Sequence, residues 1–122
     1  MNIVRVVTEG LFQERMRVRL QFAVERQIEM QVAFAVSEAL YQEITIAGGR
    51  VLQNNFNDYP VLSNRDMPDV AIHFVRATDE PIMGAAEEIL PYIAPAVCNA
   101  IFAATGKRVR KLPVKNMNLA WA

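Results

Sequence analysis

Few residues in this sequence of 122 have the types and spacing that catalysis or metal binding requires. His73, the single histidine, has no cysteine or carboxylate at metal-ligand spacing, which favours a surface or hydrogen-bonded histidine over a ligand. Cys98, the single cysteine, lies in a predicted helix and is interpreted as a buried thiol. Gly48-Gly49 lacks the lysine and the helix that follow in a phosphate-binding loop. The sequence therefore predicts no metal site and no nucleotide site.

The carboxylate pair Glu87-Glu88 remains as the candidate for chemistry. It follows Met83-Gly84-Ala85-Ala86 and precedes the apolar Ile89-Leu90. A carboxylate in such a place can serve as a general base when a proton donor lies within hydrogen-bond reach. Acidic residues at a helix start more commonly stabilise the positive end of the helix dipole. From the residues alone, both interpretations of the pair stay open.

The charge balance excludes long-range electrostatic recruitment of partners. Lys plus Arg and Asp plus Glu number 13 each, so no net field attracts nucleic acid or an anionic membrane, and we predict neither partner. The lone cysteine suits a reducing compartment and the N-terminus lacks an apolar signal segment, so a cytoplasmic location is expected. A net charge near zero weakens repulsion between copies, which favours a homo-oligomer.

The apolar periodicity predicts two main helices that would position these residues. Residues 23–42 contain no Gly or Pro and repeat apolar residues every three or four positions, the period of a helix face. The second helix is predicted at Pro95–Thr105, because proline suits a first helical position and Gly106 suits the residue after the last.

Strands are predicted around these helices. Ile3–Thr8 is rich in Val and Ile, and residues 16–22 alternate between apolar and polar, with a continuing helix as the alternative for this second segment. Two short strands around Gly48-Gly49 make a hairpin, and another strand follows at Asp69–Val75. The basic run of residues 107–112 is interpreted as the solvated face of a last strand rather than a nucleic-acid patch.

The order of these elements predicts an α+β fold. Residues 1–122 form a single two-layer domain, in which a mainly antiparallel sheet packs against the two main helices. Residues 54–67 are rich in Asn, Asp and Pro and are interpreted as an ordered excursion. Residues 115–122 are interpreted as a tail.

Several collinear segments of the chain together resemble one family. They are Gln27–Ser37, Ala39–Tyr41, Gln53–Leu62, Asp66–Val70, Ala94–Val97 and Asn99–Arg108. They look like the C-terminal end of the molybdopterin-binding large subunit of the molybdenum hydroxylases, which include xanthine dehydrogenases, aldehyde oxidases and isoquinoline oxidoreductase-like enzymes. The resemblance covers about residues 24–114, while residues 1–23 are diverged.

The resemblance implies a site with a cofactor. In the family, a glutamate in a Gly-Val-Gly-Glu-Pro stretch is the general base that deprotonates a molybdenum-bound hydroxyl, and a glutamine contacts the molybdopterin. Residues 84–88 stand at that stretch here, so Glu87 stands at the catalytic base and Gln27 at the cofactor-contacting glutamine. The family's partners are the rest of the large subunit and an iron–sulfur subunit.

The sequence departs from the family where the cofactor would lie. The family usually has two glycines at the third and fourth positions after the glutamine. This chain has Met30 and Gln31 there, and their side chains would fill the space that glycine leaves for a ligand. In the catalytic stretch, Ala86 replaces a glycine and Glu88 replaces the proline, changes that favour a regular helix. Glu87 and Gln27 are therefore interpreted as vestigial, with no cofactor bound in isolation.

Three functions follow as alternatives. The first is a truncated, engineered or recombined structural domain derived from such a subunit, without catalysis of its own. The second is a fragment or small subunit of a molybdopterin-dependent oxidoreductase of aldehydes or N-heterocycles, which would supply Glu87 as base. The third is a self-associating interaction module, because a domain cut from a larger subunit exposes a former interface.

Overall fold

The computed structural model describes residues 3–9, 17–75 and 87–119. In chain order, the elements are β1 (Ile3–Glu9), α1 (Arg17–Leu40), β2 (Ile46–Ala47), β3 (Arg50–Val51), β4 (Asp69–Val75) and α2 (Leu90–Thr105). Short 3-10 turns lie at Glu87–Ile89 and Val114–Asn116. The α+β class and the two main helices are confirmed.

Helix α1 is longer than the sequence predicted. The helix begins at Arg17, so the alternating segment of residues 16–22 is helical over its described residues and the predicted strand there is wrong. No Gly or Pro occurs between Leu11 and Gln42, and Arg, Leu and Gln are good helix formers. The helix therefore continues through the alternating segment, as the alternative interpretation had it.

The strands form two separate two-stranded sheets in the described residues. The hairpin β2–β3 is antiparallel, with Ile46 opposite Val51 and Ala47 opposite Arg50, as predicted around the two glycines. The longer pairing joins β1 and β4 in parallel, from Ile3 opposite Asp69 to Glu9 opposite Val75. A parallel return needs a long crossover, and the chain between these strands supplies one that contains the whole of α1.

The core lies between α1, α2 and one face of β4. Its buried residues are Ile28, Val32, Ala35, Val36 and Ile93. Partly buried side chains pack around them: Val24, Leu40, Leu62, Met67, Val70, Ile72, Ile89, Leu90 and Val97. Val70 and Ile72 lie two positions apart, as expected for the core face of a strand, whereas His73 faces solvent.

Helix α2 begins five residues before its predicted start. Pro91 rather than Pro95 lies in the first turn, and Pro95 lies inside the helix. Pro95 has no N–H to donate to the carbonyl of Pro91, so one bond of the helix ladder is missing there. The predicted end is confirmed, since Gly106 has φ 69° and donates its N–H to the carbonyl of Phe102 at 2.8 Å. Cys98 is half-buried, so its prediction as a buried thiol is wrong.

The predicted last strand is absent from residues 107–112, which have no regular secondary structure and bend at Lys111 and Leu112. This segment contacts its own helix and the tail instead of a strand. The Arg108 guanidinium lies 3.7 Å from the centre of the Phe102 ring, and the Lys107 ammonium donates to the carbonyl of Asn118 at 3.2 Å. Arg110 and Lys111 are exposed, as expected for a solvated basic face.

One helical stretch in the described residues, the 19 residues Glu87–Thr105, is long and apolar enough to cross a membrane by length and composition, with a mean hydropathy of 1.3 over an 18-residue window. A single such helix is weak support for a membrane span, because core helices of soluble proteins meet the same criteria.

Candidate functional site

Gln27, which occupies the position of the family's cofactor-contacting glutamine, lies on α1 together with its neighbours. Gln27 is exposed, whereas the next residue, Ile28, is completely buried in the core. Of the two residues that replace the family's glycines, Gln31 is 8% exposed and Met30 is 43% exposed. The side chain that occupies protein interior is therefore Gln31, while Met30 extends into solvent.

Glu87, which occupies the position of the family's general base, begins the 3-10 turn before α2. Glu87 and Glu88 are both exposed in that turn. The residue before α2, Ile89, provides no side-chain hydrogen bond to cap the helix. In this position the two carboxylates can supply negative charge to the positive end of the helix dipole. Gly84, Ala85 and Ala86 of the same stretch lie outside the described residues.

The fold brings the two segments that carry Gln27 and Glu87 to the same cluster. Ile28 follows Gln27 and is buried in the core, and Ile89, two residues after Glu87, packs against that core. The 3-10 turn also contacts α1. The two candidate residues thus belong to adjoining segments, although both side chains point away from the interior.

The described residues do not fit a pterin cofactor beside α1. The helix is continuous from Arg17 to Leu40, so the backbone N–H groups of Met30 and Gln31 are taken up within the helix. Glycine at these positions would leave bare backbone for close approach, whereas position 31 carries the buried side chain of Gln31. No group of three or more His, Cys, Asp or Glu that could hold a metal occurs among the residues the structure describes.

The sequence did not predict two buried polar side chains that hold the excursion of residues 54–67 against α1. The Ser37 hydroxyl, fully buried, donates to the carbonyl of Ala33 at 2.5 Å and accepts the N–H of Leu62 at 2.8 Å. The Gln42 side-chain amide donates to the carbonyl of Pro60 at 2.9 Å. A serine at a core position of an apolar helix face was the signal available in the sequence.

Within the excursion, the carboxylate of Asp58 accepts two backbone hydrogen bonds. Asp58 accepts the N–H of Asn54 at 3.0 Å and the N–H of Asn55 at 2.8 Å. These backbone hydrogen bonds, that of Asn54 first, lower the pKa of Asp58 below its ordinary value of 3.8. The turn places Phe56 at its tip, where the ring is 78% exposed.

Comparison with known proteins finds similar sequences in oxidoreductases. The beta subunit of isoquinoline 1-oxidoreductase from Brevundimonas diminuta is 35% identical over 92 residues, which are 75% of this chain and 12% of that protein. A nicotinate dehydrogenase subunit from Pseudomonas putida is 32% identical over 91 residues, 75% of this chain and 8% of that protein. A membrane-bound aldehyde dehydrogenase (pyrroloquinoline-quinone) of Gluconacetobacter polyoxogenes is 35% identical over 89 residues, 73% of this chain and 11% of that protein. No family model matches the chain.

The fold has a counterpart in a solved structure. Quinoline 2-oxidoreductase from Pseudomonas putida 86 superposes with a TM-score of 0.71 at 23% identity, over 90% of this chain and 14% of that chain. The likeness establishes the shared fold.

These comparisons confirm part of the predicted resemblance. About three quarters of the chain is homologous to a segment of oxidoreductase subunits, an isoquinoline oxidoreductase among them. The chain spans only 8% to 12% of the length of these curated relatives.

Proposed function

We propose that this chain is a stand-alone structural domain, engineered or recombined from the C-terminal end of a molybdenum hydroxylase large subunit, and that it has no catalytic activity by itself. The observation that carries the proposal is the course of α1 through residues 28–31, where helix-forming residues replace the family's paired glycines. Each glycine inside a helix would cost about 1 kcal/mol relative to alanine, so these replacements favour folding at the expense of a ligand space.

The state of Glu87 supports the same proposal. A general base acts on a proton donor held within hydrogen-bond reach, in a site that excludes water. Glu87 is exposed at a helix start, and Gln27 is exposed on α1. In these positions the two side chains contribute to solubility and to the dipole of α2, and no catalytic step is assigned to either.

The test is a measurement of metal content and activity on purified protein. The chain is expressed in a host that makes the molybdenum cofactor, molybdenum is measured by mass spectrometry, and oxidation of an aldehyde and of an N-heterocycle is assayed. We expect substoichiometric molybdenum and equal, background rates for the wild type, Glu87→Gln and the control Glu88→Gln. Stoichiometric molybdenum with a rate abolished by Glu87→Gln but retained by Glu88→Gln would contradict the proposal.

The second candidate is a fragment or small subunit that supplies Glu87 as base to a molybdopterin held together with another chain and an iron–sulfur subunit. The observation that favours it is the adjacency of the two segments that carry Gln27 and Glu87. The same experiment decides it when the chain is co-expressed with the remaining part of a homologous large subunit, because activity would then require both chains and the Glu87 carboxylate.

The third candidate is a self-associating module, which is compatible with a structural domain. The observation that favours it is the exposure of large apolar side chains on several elements, together with the net charge of zero. Light scattering during size-exclusion chromatography over a concentration series tests it, since a constant monomer mass would contradict any self-association.

A further inference from the structure

Helix α2 has one side in the core and the other side in solvent. Leu90 and Val97 pack against the core cluster. The solvent side includes four exposed residues at spacings of four, three and four, which places them on one face of the helix: Tyr92, Ala96, Asn99 and Ala103. These four residues are named here the outer face of α2.

The outer face belongs to a helix without any charged residue. From Ile89 to Gly106 the chain contains no Asp, Glu, Lys or Arg, and Ile93 is the one residue of α2 that is buried. A helix on the surface of a soluble protein normally carries charged and polar side chains on its solvent side. An exposed helix face that lacks them indicates a surface that packs against another molecule.

Opposite charges lie at the two ends of α2. Glu87 and Glu88 are exposed in the turn before the helix, and Arg108 and Arg110 are exposed after its end. Residues 107–122 contain five basic residues and no acidic one. Within the part of the chain that the structure describes, none of these two glutamates and two arginines has an ion-pair partner. The helix therefore has a negative end and a positive end that can each pair with another molecule.

The positive end is held beside the outer face. The Arg108 guanidinium lies 3.7 Å from the centre of the Phe102 ring, and Phe102 is three positions after Asn99. Residues three apart are neighbours on a helix surface, so Arg108 lies alongside the C-terminal part of the outer face. Stacking on a ring leaves the N–H groups at the edge of the guanidinium available to a carboxylate. Val114, buried in the next turn, anchors the basic segment to the domain.

The residues of this surface are arranged symmetrically along the chain. Tyr92 and Ala103 are the two ends of the outer face, Glu87 precedes the first by five positions and Arg108 follows the second by five. A twofold axis through the middle of the outer face would place the Tyr92 ring of one copy over the small Ala103 of the other. The same axis would bring Glu87 of each copy near Arg108 of its neighbour. The surface is therefore complementary to itself in shape and in charge.

The exposed apolar residues of α1 have different surroundings. Met30 and Phe34 are 43% and 42% exposed, but Arg26, Glu29 and Glu38 lie among them, and Arg26 already pairs with Glu29. Mixed charges of this kind are typical of a solvated helix face. In the described residues, α2 is the helix that combines an uncharged exposed face with unpaired opposite charges at its ends.

We propose that two copies of this chain associate through the outer face of α2 as a twofold dimer, in which the two α2 helices run antiparallel. A second copy offers both the uncharged face and the reversed order of charges, whereas an anionic bilayer would repel Glu87 and Glu88. This inference rests on the self-association put forward above and names its surface. Metal content and oxidation rate do not enter it, so the catalytic assay and the test of the dimer can fail separately.

Sedimentation equilibrium across a concentration series tests the outer face. We expect the wild type to dimerise reversibly and Ala96→Glu to raise the dimer Kd at least about tenfold, because the dimer would bury two unpaired carboxylates near its axis. Ala96 is exposed and glutamate is a good helix former, so the variant monomer should fold as the wild type does. The matched control Ala23→Glu makes the same change at an exposed position of α1 and should leave the Kd unchanged.

An exchange of charges tests the antiparallel direction. Glu87→Arg and Arg108→Glu should each raise the Kd about threefold or more, because each variant brings like charges together at both ends of the dimer. The variant with both changes restores opposite charges across the axis, and its Kd should return toward the wild-type value. Added salt should weaken the wild-type dimer, since these pairs lie at the solvent-exposed edge of the interface. Circular dichroism that matches the wild type confirms that each variant is folded.

The outcomes separate the parts of the proposal. A monomer at every concentration would overturn the dimer and the self-association together, and would leave the outer face to a partner of different sequence. A dimer weakened by Ala23→Glu and not by Ala96→Glu would keep self-association and overturn this surface. Single charge variants that weaken the dimer, without recovery in the double variant, would overturn the antiparallel arrangement.

Discussion

The two segments that follow α1 have opposite compositions and opposite surroundings. Residues 44–52 are mostly apolar and lie exposed in the hairpin, whereas the excursion of residues 54–67, rich in Asn, Asp and Pro, is held against α1. The excursion is held because its backbone N–H and C=O groups meet buried side chains of α1, namely Ser37 and Gln42. The excursion joins the domain through these hydrogen bonds and through Leu62 and Met67, which pack against the core, whereas residues 44–52 supply none of the side chains of that core cluster.

The largest difference should come from removing equivalent side chains in the core and in the hairpin. Ile28→Ala removes a completely buried side chain and should lower the free energy of unfolding by about 2–5 kcal/mol. Ile46→Ala removes a side chain that is 70% exposed and should change it by no more than about 0.5 kcal/mol at concentrations where the chain is monomeric. Urea unfolding of both variants measures the contrast. Equal losses would mean that the hairpin belongs to the cooperative core.

The bond between Ser37 and Leu62 should give the next largest effect. Ser37→Ala removes the acceptor of the Leu62 N–H in a part-buried place, and an unsatisfied donor there costs about 1–3 kcal/mol. The matched control is Ser63→Ala, which removes an exposed hydroxyl that donates to Asp66 and should cost less than about 0.5 kcal/mol. Unfolding in urea gives both values, and exchange at Leu62 should quicken only in the first variant. Similar costs for the two serines would show that the buried contact does not hold the excursion.

The hairpin turn should respond more weakly. Gly49 has φ 73°, and an alanine there would carry about 1–2 kcal/mol of backbone strain. Because the hairpin is exposed, opening the turn relieves that strain locally and the global free energy of unfolding should fall by less. Amide exchange at Leu52, whose N–H bonds to Thr45, should therefore accelerate in Gly49→Ala more than the urea midpoint shifts. Gly49→Asn is the control, since asparagine tolerates positive φ and should leave the exchange slower than alanine does.

The elements that depend on near neighbours in sequence were predicted well. The span of β4 matched its prediction, and the hairpin followed from Gly48-Gly49, because glycine at positive φ is a local requirement. The start of α1 was not predicted, because alternation over seven residues fits a strand face as well as part of a helix. The parallel pairing of β1 with β4 joins residues 66 positions apart, as Ile3 and Asp69 show, and no local pattern encodes it.

The positions of the candidate site residues along the chain were predicted, but their arrangement in the structure was predicted only in part. Gln27 and Glu87 came from a resemblance, which gives positions along the chain and no exposure. Their adjoining segments meet because Ile28 and Ile89 share the core, and that is a tertiary fact. Ser37 bonds to a residue 25 positions away, so its role in holding the excursion could not be read from its neighbours.

The smallest expected change in stability, and the one that depends on pH, comes from replacing Asp58. Its pKa is lowered by the N–H groups of Asn54 and Asn55, so the ionised carboxylate stabilises the folded excursion. That contribution is present at pH values above the ordinary value of 3.8 and is lost as the pH falls through the lowered pKa of the folded state. The difference in stability between the wild type and Asp58→Asn should be constant near neutrality and shrink in that acidic window.

The measurement is the urea midpoint of both proteins from pH 7 to pH 2. Asn57→Ala is the control, because it changes a neighbouring exposed residue of the same turn without adding or removing an ionisable group. Its difference from the wild type should stay level across the whole range. If the Asp58→Asn difference were equally level, the carboxylate charge would not be what stabilises the turn, and the excursion would depend on its contacts with α1 alone.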